Sequence, residues 1–132
     1  MDFIERLQDT INGIEYMPLI CHLGYLKEDE SLVLFPSPGS RIIQEYMDGE
    51  KEAQMNYTIA MKSKKQGLIH GTLWIIQNEL ERLGDIKSDN GSFEFNSLDV
   101  TNKPFITDAD EQGWHVFMLD IQANLTILKG DD

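Results

Sequence analysis

The sequence is poor in cysteine, in basic residues and in long apolar runs, and each shortage closes off a class of function. Its single cysteine, Cys21, can form neither an internal disulfide nor a multi-cysteine zinc site. Cys21 lies in the apolar run Met17 to Leu26 and reads as a small buried core residue. His22 follows it directly, but neighbours on a strand point to opposite faces, so the two do not read as nucleophile and base. Only 11 residues are Lys or Arg against 23 Asp or Glu, a formal net charge of −12. That field disfavours specific binding to nucleic acid, which needs a positive footprint for phosphates. The one basic cluster, Lys62, Lys64 and Lys65, is too small to reverse it. No apolar run reaches the roughly 18 residues that cross a bilayer. The start, Met1-Asp-Phe-Ile-Glu-Arg, lacks the basic-then-apolar pattern of a signal peptide. No membrane partner is therefore expected.

Catalytic signatures are missing too. There is no GxSxG, P-loop, GxGxxG or HExxH. His22, His70 and His115 stand far apart, without metal-ligand spacing. The acid pairs Glu79/Glu81 and Asp108/Asp110 are too generic to name an acid–base couple. Asp108-Ala-Asp110-Glu-Gln112-Gly113 resembles the opening of a calcium loop, but the twelfth ligand would fall on Leu119, which cannot bind the ion. A solvated acidic loop is the simpler reading. The expectation is a protein that is not an enzyme and carries no metal or cofactor.

What is present is enough apolar residue, 41% of 132, to build one core. The expectation is one domain over residues 1–132, with 129–132 as a frayed tail. Phe3, Ile4, Leu7 and Ile11 recur at helical spacing, which predicts a short helix capped by Asp2 and ended by Gly13. Met17 to Leu26 and Ser31 to Phe35 predict strands. Pro36-Ser-Pro-Gly-Ser40 predicts a loop. Arg41 to Met47 and Glu52 to Lys62 predict a hairpin turning at Asp48-Gly49. In its second arm Ala53, Met55, Tyr57, Ile59 and Met61 share one face, toward the core, and Glu52, Gln54, Asn56, Thr58 and Lys62 share the other, toward solvent, with Ala60 the one non-polar exception.

Lys65 to Leu83 predicts the main helix, stopped by Gly84. Its core face holds Leu68, Thr72, Leu73, Ile76, Leu80 and Leu83, widened by Ile69, Trp74 and Ile75, as if covered on more than one side. Gly67 and Gly71 read as tight local packing. Trp74 and Trp114 read as core or rim packing, with an interface anchor as the functional alternative. Ser92 to Thr101 predicts a strand whose apolar parity changes, which places a bulge near Asn96-Ser97. Pro104 to Thr107 reads as a short segment before a loop from Asp108 to Gly113. Trp114 to Leu128 alternates throughout and predicts a long last strand, long enough to offer an edge to a neighbouring subunit. Strands in runs with helices segregated give an α+β fold: a mostly antiparallel twisted sheet, a short N-terminal helix and one long central helix packed on it.

This order of features resembles a known family. The short helix, the Pro-Ser-Pro-Gly loop with its hairpin from Arg41 to Lys62, the helix around Leu68-Ile-His-Gly-Thr-Leu-Trp74 and the segment Gly113-Trp-His-Val-Phe-Met-Leu-Asp120 look like small minor capsid proteins of tailed phages and prophages of Gram-positive bacteria. Those in turn resemble tail-terminator proteins at the head–tail junction. The resemblance spans the whole chain and rests on element order. It implies a structural role in the virion, assembled in the host bacterial cytoplasm. The protein would form a homo-oligomeric ring, often a hexamer, that caps the tail tube and later joins it to the head connector. It implies no catalysis and no cofactor.

The residues themselves nominate the contact surfaces, because exposed loops carry function more often than core positions. The candidates are Pro36, Ser37, Pro38 and Gly39 in the loop, Asp48 and Gly49 at the hairpin tip, Asp108 and Asp110 in the acidic loop, and Trp114 at the start of the last strand. Two other classes fit the same composition. One is a ligand-binding or enzymatic α+β domain, marked by an apolar pocket holding His70 or His115 beside a carboxylate. The other is an acidic regulator mimicking DNA, which needs its acids in a stripe, whereas here they are scattered.

Overall fold

The computed structural model describes residues 2–128. The tail expected to fray, residues 129–132, lies outside them. The elements run α1 (Phe3–Asn12), β1 (Cys21–Leu23), β2 (Ser31–Pro36), β3 (Arg41–Glu45), β4 (Lys51–Ser63), α2 (Gln66–Glu81), β5 (Phe93–Ala109) and β6 (His115–Ile127). All six strands join one sheet ordered β1-β2-β4-β6-β5, with β3 also paired to β4. Every pairing is antiparallel except β1 with β2. The fold is therefore α+β, as the sequence patterning implies.

The odd-numbered residues of β4 face the core. Tyr57, Ile59 and Met61 are buried, opposite Ile121, Leu119 and Phe117 of β6. Ile69, Leu73, Ile76 and Leu80 of α2 and Phe3, Leu7 and Ile11 of α1 join the same buried cluster. Phe3 seats α1, its ring 5.5 Å from Tyr57 and 5.2 Å from Phe93. Both helices thus cover one face of the sheet. The other face is open, though less so than expected: Thr58 and Ala60 of β4 point there and are buried.

Several expectations need correction. The strand expected over Met17 to Leu26 shrinks to Cys21–Leu23. Pro18 has no N–H to give a ladder, and Gly24, at φ 112°, turns the chain away. Cys21 itself is buried and His22 exposed, as the alternation requires. Asp2 does not cap α1 with its side chain. Its carboxylate instead accepts hydrogen bonds from Ser88 Oγ (2.6 Å), Ser92 Oγ (3.0 Å) and the Asp89 N–H (2.9 Å). Arg6 pairs with Asp89 and lies 3.2 Å from Asp9, so α1 and the loop before β5 are held together.

α2 stops at Glu81, ahead of Gly84, and is covered on one side only. Gly67 and Gly71 face open space rather than a packed neighbour, and Trp74 is 56% exposed. β5 does not stop at Thr101. It runs on through Lys103, Pro104 and Thr107 to Ala109. The register shift between Phe95 and Ser97 falls at the expected bulge, and three more shifts follow. Pro104 sits within one of them, between Asn102 and Phe105, so it breaks no ladder bond. β6 is long, as expected, but offers no edge. All 13 of its residues pair with β4, and β5 occupies its other side.

Candidate interaction surface

The nine nominated residues fall in three places along the sheet, and the fold does not gather them. The Pro36–Ser40 loop lies midway. β2 pairs with β4 from Tyr57 to Lys62, and β3 pairs with β4 from Lys51 to Gln54, so the two share one side of β4, interrupted by this loop. Asn56 holds the interruption closed. Its N–H donates to Ser40 Oγ (2.8 Å), its Nδ2 donates to the Pro38 carbonyl (3.0 Å), and its carbonyl accepts the Ser37 N–H (3.0 Å). Gly39 adopts φ 101°, and a Cβ there would stand 2.6 Å from Asn56 Nδ2. The loop is therefore a fitted bulge, and its glycine is required by conformation and by space.

Asp48 and Gly49 form the hairpin tip at one end of β4. Gly49 takes φ 94°, and Asp48 Oδ1 accepts the Glu50 N–H at 3.0 Å. Asp110 and Trp114 lie at the opposite end, in the tight turn from β5 to β6. Asp110 Oδ1 accepts the N–H groups of Gln112 and Trp114, each at 3.0 Å. This acid shapes a hairpin turn, which is its local use in place of an ion. Asp108 is not in a loop. It belongs to β5, opposite Val116. Among the described residues, no group of three or more His, Cys, Asp or Glu is placed to hold a metal ion.

Trp114 lies on the open face, beneath Lys62 Nζ at 5.2 Å and Lys64 Nζ at 5.1 Å. This geometry suits two cation–π contacts and accounts for two of the three clustered lysines. His70 packs edge-on against Phe117 at 4.6 Å, outside any polar cluster. Burial pushes the Cys21 thiol up to about 12, away from the thiolate form.

Ser37 and Pro38 do rim one feature that sequence reasoning missed, a groove of about 460 Å³ on the open sheet face. Its floor is a cross-strand polar ladder. Thr58 Oγ1 donates to Asp120 Oδ1 (2.7 Å), Asn102 Nδ2 donates to Asp120 Oδ2 (2.8 Å), and Gln122 Nε2 donates to Asn56 Oδ1 (3.0 Å). The ladder continues with Asn124 Nδ2 on Ser97 Oγ and Thr126 Oγ1 on Glu52 Oε1. These groups satisfy one another across three strands, so they brace the sheet more than they wait for a ligand.

Two exposed apolar pairs were also missed: Ile42 and Ile43 on β3 (47% and 50% exposed), and Phe105 and Ile106 on β5 (39% and 48%). Adjacent large apolar residues break the in–out alternation of a strand with one wet face, and that was the available signal. At the hairpin tip Tyr46 and Met47 are exposed as well.

A family model described as bacteriophage tail terminator protein matches residues 9–127. No curated protein matches the chain. The chain belongs to the bacteriophage tail terminator family.

Proposed function

We propose that this chain closes the end of a phage tail as a homo-oligomeric ring, capping the tail tube and joining it to the head connector. Family membership over residues 9–127 carries this reading. It makes the protein a structural component of a phage tail, and a terminator acts through interfaces rather than through a reaction. The geometry is in keeping. The polar groups of the open face bond to one another across three strands, and burial raises the Cys21 thiol.

The surfaces available for such work are a sheet face free of helices and two strand edges with exposed apolar pairs. On this reading the Pro36–Gly39 bulge, the Asp48-Gly49 tip and the end bearing Asp110 and Trp114 present three levels of the sheet to different neighbours. Asp108 presents the β5 edge. The net charge of −12 suits a ring whose lining must let DNA pass without gripping it.

The test is assembly. The purified chain is examined by light scattering across concentration, alone and with tail-tube protein, and by negative-stain microscopy of tube ends. A closed ring, in solution or on tube ends, is the expected result. A chain that stays monomeric and also ignores tube protein refutes the proposal.

A further inference from the structure

We infer that successive copies of this chain join edge to edge, with β3 of one copy pairing antiparallel to the Lys103–Ala109 stretch of β5 in the next. The inference rests on the ring reading above and names its contact. It starts from strand directions. β3 is antiparallel to β4, β4 to β6 and β6 to β5, so the β3 edge and the β5 edge run in opposite senses. A second copy set beside the first in the same sheet keeps its own strand directions. Its β5 therefore meets β3 antiparallel, the pairing this sheet uses at all but one position. The contact is heterologous: it uses one edge from each copy and leaves the other edge for the next neighbour, which is how rings close.

The faces agree as well. Ile42 stands opposite Ala53, and Ile106 opposite Phe117, both on the helix-bearing side. A joined sheet would thus keep all helices on one side and all open faces on the other. β3 is bulged at Ile43, which shares a rung with Gln44, so placing Ile42 opposite Ile106 puts Ile43 and Gln44 together opposite Phe105, and the two exposed apolar pairs cover each other.

The charges then match. In the same register Glu45 falls opposite Lys103, and both are exposed. β5 is bulged at Lys103-Pro104, which share the rung of Leu119, so Pro104 lies beside Lys103 and asks the facing strand for a partner that needs no N–H there. Lysine and proline on an edge usually deter random pairing. Here they leave room for a strand carrying a carboxylate at the matching place, and β3 carries one. Ile42 lies level with Phe95 through Ala53 and Leu125, so pairing it with Ile106 shifts the next copy by eight positions along β6, from Leu125 to Phe117, and the strands then run oblique to the ring axis, as the strands of a closed sheet do. A second copy is thus the occupant that fits both edges.

The test uses the full chain, with tail-tube protein where assembly needs it. Glu45→Lys and Lys103→Glu, made singly, should each raise the concentration for half-assembly by about tenfold or more, because like charges then face each other. The two together in one chain should restore assembly, and circular dichroism of each single variant should match wild type. Independently, Ile43→Cys with Phe105→Cys should give a ladder of covalent multimers on oxidation, while either cysteine alone gives none; buried Cys21 contributes no background. Wild-type rings with no cross-linking and no response to the charge changes overturn this contact and leave the ring standing. A wild-type chain that never assembles overturns both.

Discussion

Replacing Gly39 by alanine tests whether the Pro36–Ser40 bulge is a fitted part or a slack connection. Two separate terms act against the substitution. The backbone at φ 101° is strained for any residue with a Cβ, by about 1–2 kcal/mol. The new methyl would also stand 2.6 Å from Asn56 Nδ2, so the amide must turn aside. Turning it gives up its bond to the Pro38 carbonyl and its acceptance of Gln122 Nε2. The amide is on the surface, where each bond contributes about 0.5–1 kcal/mol. The sum is about 2–4 kcal/mol, a fall in Tm of roughly 7–14 °C for a chain of this size. Thermal and urea unfolding followed by circular dichroism read the value. A double-mutant cycle separates the terms. In an Asn56→Ala background the clash and its lost bonds are already gone, so Gly39→Ala should cost only the backbone strain, about 1–2 kcal/mol. A Gly39→Ala change within about 0.5 kcal/mol of wild type, or strict additivity with Asn56→Ala, would refute the reasoning.

Three further outcomes follow from the contacts described. Burial pushes the Asp2 carboxyl up, but hydrogen bonds from Ser88, Asp89 and Ser92 outweigh it and hold the group at about 2, below its ordinary 3.8. The folded value is depressed, so the stabilisation is present above about pH 4 and lost as pH falls through about 2. Asp2→Ala should therefore lower stability at neutral pH by about 1 kcal/mol after discounting for solvent screening, and the gap to wild type should close in acid titrations of unfolding. Trp114→Ala, which removes the ring under two lysines, should cost about 1–2 kcal/mol in urea unfolding, whereas Trp74→Ala on the bare side of α2 should cost under about 0.5. The Cys21 thiol should resist a thiol-specific chromogenic reagent at pH 8 in the native protein and react at once in denaturant; rapid native labelling would contradict its burial.

The strands were legible where they obey period two against one core. β4 and β6 alternate because each has one face under the helices, and the parity change along β5 located its first bulge from sequence alone. What was not legible is non-local. Nothing in Trp114 to Leu128 tells that β6 sits inside the sheet, because strand order depends on partners more than fifty residues away. β5 looked broken at Lys103-Pro104 because proline ends most strands, and only a strand with one partner and a bulge accommodates it. β1 looked long because its apolar residues also serve the loop packed beneath α1, where Met17 and Leu19 join the core without pairing. Of the candidate surface, the loops were found as loops. The polar groove they border needs three strands to exist, so no single segment announces it. The apolar pairs Ile42-Ile43 and Phe105-Ile106 stood in plain view, and their failure to alternate was the clue.

The thirteen rungs between β4 and β6 also constrain how the chain becomes a protein as it is synthesised. Each rung joins residues more than about fifty positions apart, from Ser63 with His115 out to Lys51 with Ile127. A nascent chain can close the β3–β4 hairpin and wind α2 early, since both are local. It cannot complete the sheet surface on which α2 packs until β6 has left the ribosome, because Phe117, Leu119 and Ile121 lie beside Met61, Ile59 and Tyr57 in it. The core is therefore completed late, when the last strand arrives, and until then the emerging chain keeps an apolar strand surface exposed to chaperones and to other unfinished copies on the same messenger.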